Sequence, residues 1–430
     1  MKNLFIVFLI VLASIANAQT KSIKKSPPLA EDSAESVGMS SERLARIDDM
    51  CKEAVLNNDI PGVVALIARD GKIVYHKAFG MADNTSGRSL KPDDIFRIAS
   101  QSKAITATAV MMLWEEGKFF MDDPISKYIP EFKNPQVLDT FQKDDTSYTT
   151  IAARGEITIH HLLTHTSGIG YGVLDKDWRF RMIYQKAGIS TGLSTEDIST
   201  EEFVKNLAKL PLHHNPGEKY TYGFGLDVLG YFIEVISGMP LDVFLKERLF
   251  DPLGMNDTWF YLPEDRASRL VSLQTKSDTG EWIHFPVTDQ DWSPVKGARK
   301  LFSGGGGLCS TAKDYAMFLQ MYLNGGELNG IRFLSRTTVQ KIMVNQIGDL
   351  WGENPEGYYG LVFAVKTKEG QDKYGLQSVG TFTWQGGFNT QYFADPKEKI
   401  IGILMKQTFG NLYDSTYWKF LISVRQAIDD

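Results

Sequence analysis

Two residues three positions apart, Ser100 and Lys103, could together generate a nucleophile; they begin and end the segment Ser100-Gln101-Ser102-Lys103. Positions i and i+3 of an α-helix lie on one side, so a helix here would present a hydroxyl beside an amine. An uncharged amine could accept the hydroxyl proton, which a serine must lose to attack a carbonyl carbon. The N-terminus of a helix also directs free N–H groups toward an oxyanion. This segment therefore supplies a candidate nucleophile, a base and part of an oxyanion hole.

The sequence after Ala99 favours the helix that this chemistry needs. Gly117 supplies a C-terminal stop, and four apolar residues share one helical face: Ile105, Ala109, Met112 and Leu113. Ser100 is therefore predicted at a helix N-terminus. The S-x-x-K pattern alone also occurs in helices where the serine is only a cap and the lysine is exposed, so the other elements must decide.

Strand-like segments lie at both ends of the chain. Residues 63–68 and 72–79 are β-rich and flank Asp70-Gly71, which suits the positive φ angles of a type I′ turn. Strand patterns return at residues 358–365, 380–384, 390–394 and 400–405, before a final helix from Ser415. The intervening region alternates helical patches with irregular segments. The glycines at 304–307 lack the flanking residues of a phosphate loop and indicate close backbone packing under the site.

These patterns predict an α/β (α+β) fold with an antiparallel sheet flanked by helices. Residues 36–130 and 291–430 would build the sheet domain, and residues 131–290 a mostly helical inserted domain. The first 18 residues have a basic start, an apolar run and a small-residue cleavage site, which predicts a signal peptide removed after Ala18 and a secreted or periplasmic protein. Residues 19–35 are polar and contain prolines, so we interpret them as a flexible tether.

Composition excludes several classes of partner. The net charge is −6 with no basic block, so we expect no nucleic-acid partner. No later segment is long and apolar enough for stable membrane insertion. Cys51 and Cys309 could pair in an exported protein, although two buried free thiols are favoured. The sequence leaves the oligomeric state open.

Several segments occur together in one order and resemble the serine β-lactamase-like superfamily: residues 96–103 (FRIASQSK), 160–168 (HHLLTHTSG), 216–222 (PGEKYTY), 304–311 (GGGGLCST) and 384–387 (WQGG). The pattern is most similar to class C β-lactamases and family VIII carboxylesterases, and it extends over about residues 40–425. The ordered set is far more specific than any one of its members.

The resemblance implies roles for individual residues. Ser100 would be acylated, with Lys103 as its proton partner, and Tyr222 would share the base role and protonate the leaving group. The N–H groups of Ser100 and Gly387 would form the oxyanion hole. Four further residues would contact substrate: Phe224, Trp384, Gln385 and Gly386. No cofactor is required.

Two departures from the β-lactamase pattern bear on the substrate. Phe224 stands where an asparagine is usual, and Trp384 replaces a lysine or histidine that would bind a carboxylate. A site without these donors leaves polar β-lactam and peptide groups underpaired. We therefore expect hydrolysis of small neutral esters, with three alternatives: a D-amino-acid peptidase or amidase, a weak β-lactamase, and a non-catalytic cell-wall binding module. In each case the partner is a small-molecule ester or amide, or the cell wall.

Other candidate features carry less weight. His161 and His165 are four residues apart but lack an acidic companion, so no metal site is predicted and buried histidines are expected. Four aromatic residues could form a roof over a substrate cleft, although core positions are commoner for such residues and are favoured here: Tyr171, Trp178, Phe180 and Tyr184. A loop at residues 133–156 is a candidate lid.

Overall fold

The computed structural model describes residues 19–189, 191–193, 195–285, 293–352, 355–410 and 414–430. The predicted signal peptide, residues 1–18, lies outside the described residues. The strands are β1 Thr20–Lys21, β2 Ala30–Glu31, β3 Gly62–Arg69, β4 Lys72–Asp83, β5 Arg88–Ser89, β6 Phe96–Arg97, β7 Gln136–Phe141, β8 Tyr148–Ala152, β9 Gln274–Lys276, β10 Trp282–His284, β11 Cys309–Ser310, β12 Glu327–Leu328, β13 Ile331–Arg332, β14 Gly357–Tyr359, β15 Ala364–Lys366, β16 Phe382–Gly386, β17 Thr390–Asp395 and β18 Ile400–Met405. The helices are α1 Ser41–Leu44, α2 Arg46–Leu56, α3 Ser102–Glu115, α4 Ile159–Leu163, α5 Trp178–Lys186, α6 Thr200–Leu207, α7 Gly225–Ser237, α8 Leu241–Leu245, α9 Asp251–Leu253, α10 Ala312–Leu323, α11 Arg336–Met343, α12 Lys368–Tyr374 and α13 Thr416–Gln426.

The main sheet joins the two ends of the chain, as predicted. Its strand order is β14-β15-β16-β17-β18-β3-β4-β2, with β5 added beside β4. Every neighbouring pair is antiparallel except β2 and β4. Strand β3 pairs with the distant β18, so that Val64 lies opposite Met405. The predicted mixed α/β fold with an antiparallel sheet is therefore confirmed.

The β3–β4 hairpin has the turn that its sequence predicted. Asp70 has φ 47° and Gly71 has φ 76°. Two consecutive positive φ angles define a type I′ turn, whose twist matches that of the flanking strands. The turn thus sets the register in which β3 enters the centre of the sheet.

Helices cover both faces of the sheet. On one face α2 and α13 bury a cluster that includes Cys51, Phe393 and Phe420. On the other face α3 and α10 belong to a larger cluster that continues into α6 and α7. Strand β3 is buried along its whole length because both faces are covered. Helix α3 is likewise buried from Ser102 to Leu113, on all sides and not only on its predicted apolar face.

The inserted region, residues 131–290, contains α4 to α9 and two hairpins, β7–β8 and β9–β10. Its core is continuous with that of α3, so the domain boundaries at 130 and 290 stay a prediction. The candidate lid contains the β7–β8 hairpin, which packs on α5 where Phe141 meets Trp178 edge to face at 5.2 Å.

The tether predicted for residues 19–35 is wrong. Thr20 pairs with Arg332 in β13, and Ala30 pairs with Lys72 in β4. Leu29 is buried in the main core. Backbone hydrogen bonds to exposed strand edges hold the segment, and polar composition gives no sign of such pairing.

Cys51 and Cys309 are free and buried. Burial raises the pKa of each thiol to about 12. The structure thus confirms two buried free thiols over a disulfide.

Among the described residues no single helix has the length and apolar character of a membrane span. Helix α7 and the α8–α9 segment together are long and apolar enough for a span, but they are bent by 82° where they join.

Candidate active site

Ser100 lies in a single 3₁₀ turn, Ala99–Gln101, that leads directly into α3. Strand β16 packs against this turn, and a Cβ on Gly386 would lie 2.4 Å from the Ile98 carbonyl oxygen. Glycine is therefore needed at 386 for the strand to approach the nucleophile's backbone. Ala99 has φ 44°, a left-handed conformation that costs energy for alanine and is typical of functional turns.

Lys103 is buried and reaches three oxygen atoms. Its Nζ lies 3.1 Å from Ser100 Oγ, 2.6 Å from the Tyr171 hydroxyl and 2.6 Å from the Gly305 carbonyl oxygen. An ammonium has three hydrogens to donate, so the charged form satisfies all three contacts. An uncharged amine would keep its two N–H bonds to Tyr171 and Gly305 and direct its lone pair at the Ser100 hydroxyl. The geometry thus suits a base that takes the serine proton.

The glycine run holds the other side of Lys103. A Cβ at Gly304 would lie 2.4 Å from the Leu226 carbonyl oxygen, and one at Gly305 would lie 2.3 Å from Asp227 Oδ2. Thr106 Oγ1 donates to the Gly304 carbonyl oxygen at 2.8 Å. These contacts confirm that the glycines serve close backbone packing under the site.

Tyr222 lies beside Lys103, but Lys103 contacts the face of the Tyr222 ring and not its hydroxyl. Lys103 Nζ is 4.7 Å from the centroid of the Tyr222 ring, while the Tyr222 hydroxyl accepts a hydrogen bond from Trp384 Nε1 at 3.3 Å. The phenolic oxygen bonded to Lys103 is that of Tyr171. Ser100, Lys103 and Tyr222 therefore come together as predicted in space, with the Tyr222 hydroxyl directed to Trp384.

His165 positions Tyr222. Its carbonyl oxygen accepts from Thr221 N at 2.7 Å, and its Nδ1 accepts from Gly223 N at 3.3 Å. The His165 and Tyr222 rings are 4.5 Å apart. Burial lowers the pKa of His165 well below its ordinary value, and the charge of Lys103 adds to this effect. A neutral ring is what allows Nδ1 to accept a hydrogen bond.

Tyr171 is the residue whose place at Lys103 the sequence did not reveal. Asp175 accepts hydrogen bonds from the backbone N–H groups of Tyr171 and Gly172, at 3.1 and 2.7 Å. Burial, followed by proximity to Tyr222, raises the pKa of Tyr171 well above its ordinary value, so the phenol stays protonated. The sequence indicated Tyr171 only as one of the aromatic residues near a substrate cleft, and nothing in its spacing linked it to Lys103.

The site opens into a cavity of about 730 Å³ that Ser100, Tyr171, Tyr222 and Gly387 all line. Gly387 is exposed, and a Cβ there would meet nothing within 4 Å. Gly387 and Ser100 thus border the same cavity, as an oxyanion hole made from their N–H groups requires.

The predicted substrate contacts need correction. Phe224 is fully buried among Tyr171, Tyr184 and Phe203, so it supports the site from below. Gly386 is buried in the contact with Ile98. Trp384 and Gln385 line a different, neighbouring cavity.

The core position favoured for the four aromatic residues is confirmed for two of them. Phe180 and Tyr184 are buried, and Phe180 stacks on His213 at 3.4 Å. Trp178 is 42% exposed and packs on the β7–β8 hairpin. Of the four, only Tyr171 lines the Ser100 cavity.

His161 has a structural contact. Its Nδ1 accepts from Thr158 N at 3.2 Å, closing the N-terminal cap of α4, and burial lowers its pKa to about 4. Within the described parts of the chain, no three histidine, cysteine or acidic side chains are placed to hold a metal ion.

Comparison with known proteins agrees with this geometry. The sequence profile of the family described as Beta-lactamase matches residues 47–424. Esterase EstB of Burkholderia gladioli is 29% identical over 396 residues, covering 89% of this chain and 94% of EstB. Lovastatin esterase of Penicillium rubens is 30% identical over 381 residues, covering 83% of this chain and 91% of that enzyme. The solved structure of EstCE1, described as a hydrolase with promiscuous acyltransferase activity, matches with a TM-score of 0.75 at 25% identity, covering 90% of this chain and 99% of EstCE1.

Proposed function

Because this chain belongs to the beta-lactamase family and is a serine hydrolase, we propose that it is a carboxylesterase that cleaves small neutral esters through an acyl-enzyme at Ser100. The observation that carries the proposal is the 3.1 Å contact between Lys103 Nζ and Ser100 Oγ at the wall of a large cavity. Its esterase relatives support the choice of ester substrates.

The chemistry follows from the positions of the donors. Lys103 Nζ takes the Ser100 proton as Oγ attacks the ester carbonyl, and the N–H groups of Ser100 and Gly387 stabilise the oxyanion. The proton then passes from Lys103 to the alkoxide leaving group, by way of the Tyr171 phenol that is hydrogen-bonded to Nζ. Water enters, loses a proton to the same base and releases the acid, which regenerates Ser100.

The replacement of two polar donors of the β-lactamase pattern supports neutral substrates. Trp384 stands where a carboxylate-binding cation is usual, and its indole N–H is engaged with Tyr222. The buried Phe224 supplies no amide for a peptide or β-lactam group. A substrate carboxylate or amide that depends on the missing cation or amide would lose a partner, which costs about 1–3 kcal/mol per group.

The test is hydrolysis of nitrophenyl butyrate, nitrocefin and a D-Ala-D-Ala peptide by wild type, Ser100→Ala and Ser102→Ala. Ser102 is a matched control because its Oγ is buried and accepts from Leu308 N at 3.1 Å. We expect the ester to have the highest kcat/KM, and Ser100→Ala to lower it at least about 10³-fold while Ser102→Ala stays active. Ester hydrolysis slower than that of the other two substrates contradicts the proposal.

Covalent labelling separates an enzyme from a binding module. A fluorophosphonate should add to the wild-type protein at Ser100, and mass spectrometry of the digested protein locates the adduct. A wild-type protein without an adduct would favour a non-catalytic module.

We propose further that the protein is exported and cleaved after Ala18, on the basis of its N-terminal sequence. N-terminal sequencing of the protein recovered from its native cell should begin at Gln19. A chain that retains Met1 in the cytoplasm contradicts export.

A further inference from the structure

A second cavity, of about 360 Å³, borders Trp384 and is walled by strands β15 to β17 and by α13. Aromatic side chains from separate elements line it: Trp351, Trp384, Tyr417 and Trp418. The Trp351 and Trp384 rings are 6.5 Å apart with an interplanar angle of 33°. Trp418 is 52% exposed on α13, although large apolar side chains are usually buried. Indoles gathered around one cavity offer flat apolar surfaces to a ligand.

Glutamine amides complete the wall of this cavity. Gln385 and Gln391 lie directly opposite each other on β16 and β17, and Gln377 joins them from the loop after α12. Gln391 is only 8% exposed, and its buried Oε1 has no hydrogen-bond partner. Gln391 nonetheless lines the cavity, so its amide group is available as a partner for a ligand hydroxyl.

The charge of the wall points to a neutral ligand. Lys366 carries the one charge among the described residues that line the cavity, and Glu356 attracts it. Amides both donate and accept hydrogen bonds, as does a hydroxyl group. A hydrocarbon would leave the amides unpaired, and an anion would find this cation already attracted by a carboxylate.

We propose that this cavity binds a neutral sugar ring. The C–H face of a pyranose would stack on the indoles, and its hydroxyls would pair with the glutamine amides. Trp384 lines the cavity and also donates to the Tyr222 hydroxyl, so the bound sugar lies next to the wall of the Ser100 cavity. The sugar would then be part of the ester substrate, an extension that rests on the proposed function.

Binding can be tested without turnover, in the Ser100→Ala protein. The probes are methyl β-glucopyranoside, methyl α-mannopyranoside and methyl N-acetyl-β-glucosaminide, followed by tryptophan fluorescence and saturation-transfer NMR. We expect at least one to bind, with Trp418→Ala and Gln391→Leu each weakening it about tenfold. The matched control is Ile422→Ala, an exposed residue of α13 that does not line the cavity.

The Gln391→Leu variant separates a ligand site from a folding effect. Leucine removes an unpaired buried oxygen at similar volume, so the variant should unfold at the same or a higher denaturant concentration while losing sugar binding. Absence of binding by all three glycosides, or binding that Trp418→Ala and Gln391→Leu leave unchanged, overturns the sugar site. Nitrophenyl butyrate hydrolysis by Trp418→Ala should be unchanged, and that assay reports separately on the proposed function.

Discussion

At the scale of single residues, Asp227 is a buried carboxyl group that acts on Lys103 through Gly305. Its Oδ1 accepts hydrogen bonds from Ser303 Oγ and from Gly305 N, whose own carbonyl oxygen accepts from Lys103. Burial raises the pKa of Asp227, and hydrogen bonding from Ser303 and the charge of Lys103 oppose that rise. Asp227 is thus a positioning residue that does not line the cavity.

Replacing Asp227 separates its charge from its hydrogen bonds. Asparagine can keep both bonds through Oδ1, because Oδ2 has no partner. We predict that Asp227→Asn lowers kcat about tenfold, equivalent to about 1.4 kcal/mol, with KM unchanged, because the negative charge stabilises the ammonium formed during acylation. Steady-state kinetics on a nitrophenyl ester measures both constants.

Thr106→Val is the matched control for this variant. It removes a hydrogen bond to the neighbouring Gly304 carbonyl without changing charge, and it should affect kcat less. If kcat of Asp227→Asn equals that of wild type at neutral pH, the prediction is wrong, because the charge of Asp227 then makes no contribution to catalysis.

At the scale of elements, residues 19–35 form a strap, an N-terminal segment that pairs with strands β13 and β4 of two separate sheets. Leu29 is 7% exposed, whereas Ile23 in the same segment is 98% exposed. We predict that Leu29→Ala lowers the free energy of unfolding by about 2–3 kcal/mol, and that Ile23→Ala changes it by less than about 0.5 kcal/mol. Urea denaturation of both variants measures this. If both substitutions change the free energy of unfolding by equally small amounts, residues 19–35 are a flexible tether after all.

A buried ion pair supports the loop that carries Gly387. Lys406 at the end of β18 lies 2.7 Å from Asp414 ahead of α13, and both side chains are almost fully buried. Asn389, two residues after Gly387, donates to the same carboxylate at 3.0 Å. The loop that carries Gly387 is therefore tied to both the sheet and the last helix.

This pair should show strong coupling. We predict that Lys406→Met destabilises the fold by about 3–5 kcal/mol, because it leaves a buried carboxylate without its cation. The double variant Lys406→Met/Asp414→Asn should be more stable than Lys406→Met alone. A double-mutant cycle from denaturant unfolding gives the coupling energy, and strictly additive effects would exclude the coupling.

At the scale of the whole molecule, stability should depend on pH through Asp314. This residue, at the start of α10, accepts hydrogen bonds from Asp257 N and Thr258 Oγ1. Burial raises its pKa from 3.8 to about 6. The native state therefore holds the proton more tightly than the unfolded chain, and this contribution to stability is lost as the pH rises through that interval.

The contribution of Asp314 should fall by about 2 kcal/mol between about pH 4 and pH 7, and Asp314→Asn should lack this change. Urea unfolding at both pH values measures the difference between the two proteins. Asp265→Asn, which alters a largely exposed carboxylate, is the control. A difference between wild type and Asp314→Asn that stays constant with pH would contradict the prediction.

The sequence by itself determined the features that depend on residues close together in the chain. The positive φ angles of Asp70 and Gly71 and the cap of α10 at Thr311 follow from local conformational preferences. The helix after Ser100 and its i, i+3 lysine are also local, and so Ser100 and Lys103 were predicted together. The mixed α/β fold followed from strand patterns at both ends of the chain.

Tertiary structure alone decided the contacts between distant segments. Tyr171 reaches Lys103 across 68 residues, and Phe224 turns into the core because the surrounding aromatic side chains enclose it. The strap is held by backbone groups, which are the same in every sequence, so composition could not reveal it. Long-range packing and backbone pairing depend on where the chain returns in space, and no local spacing encodes that.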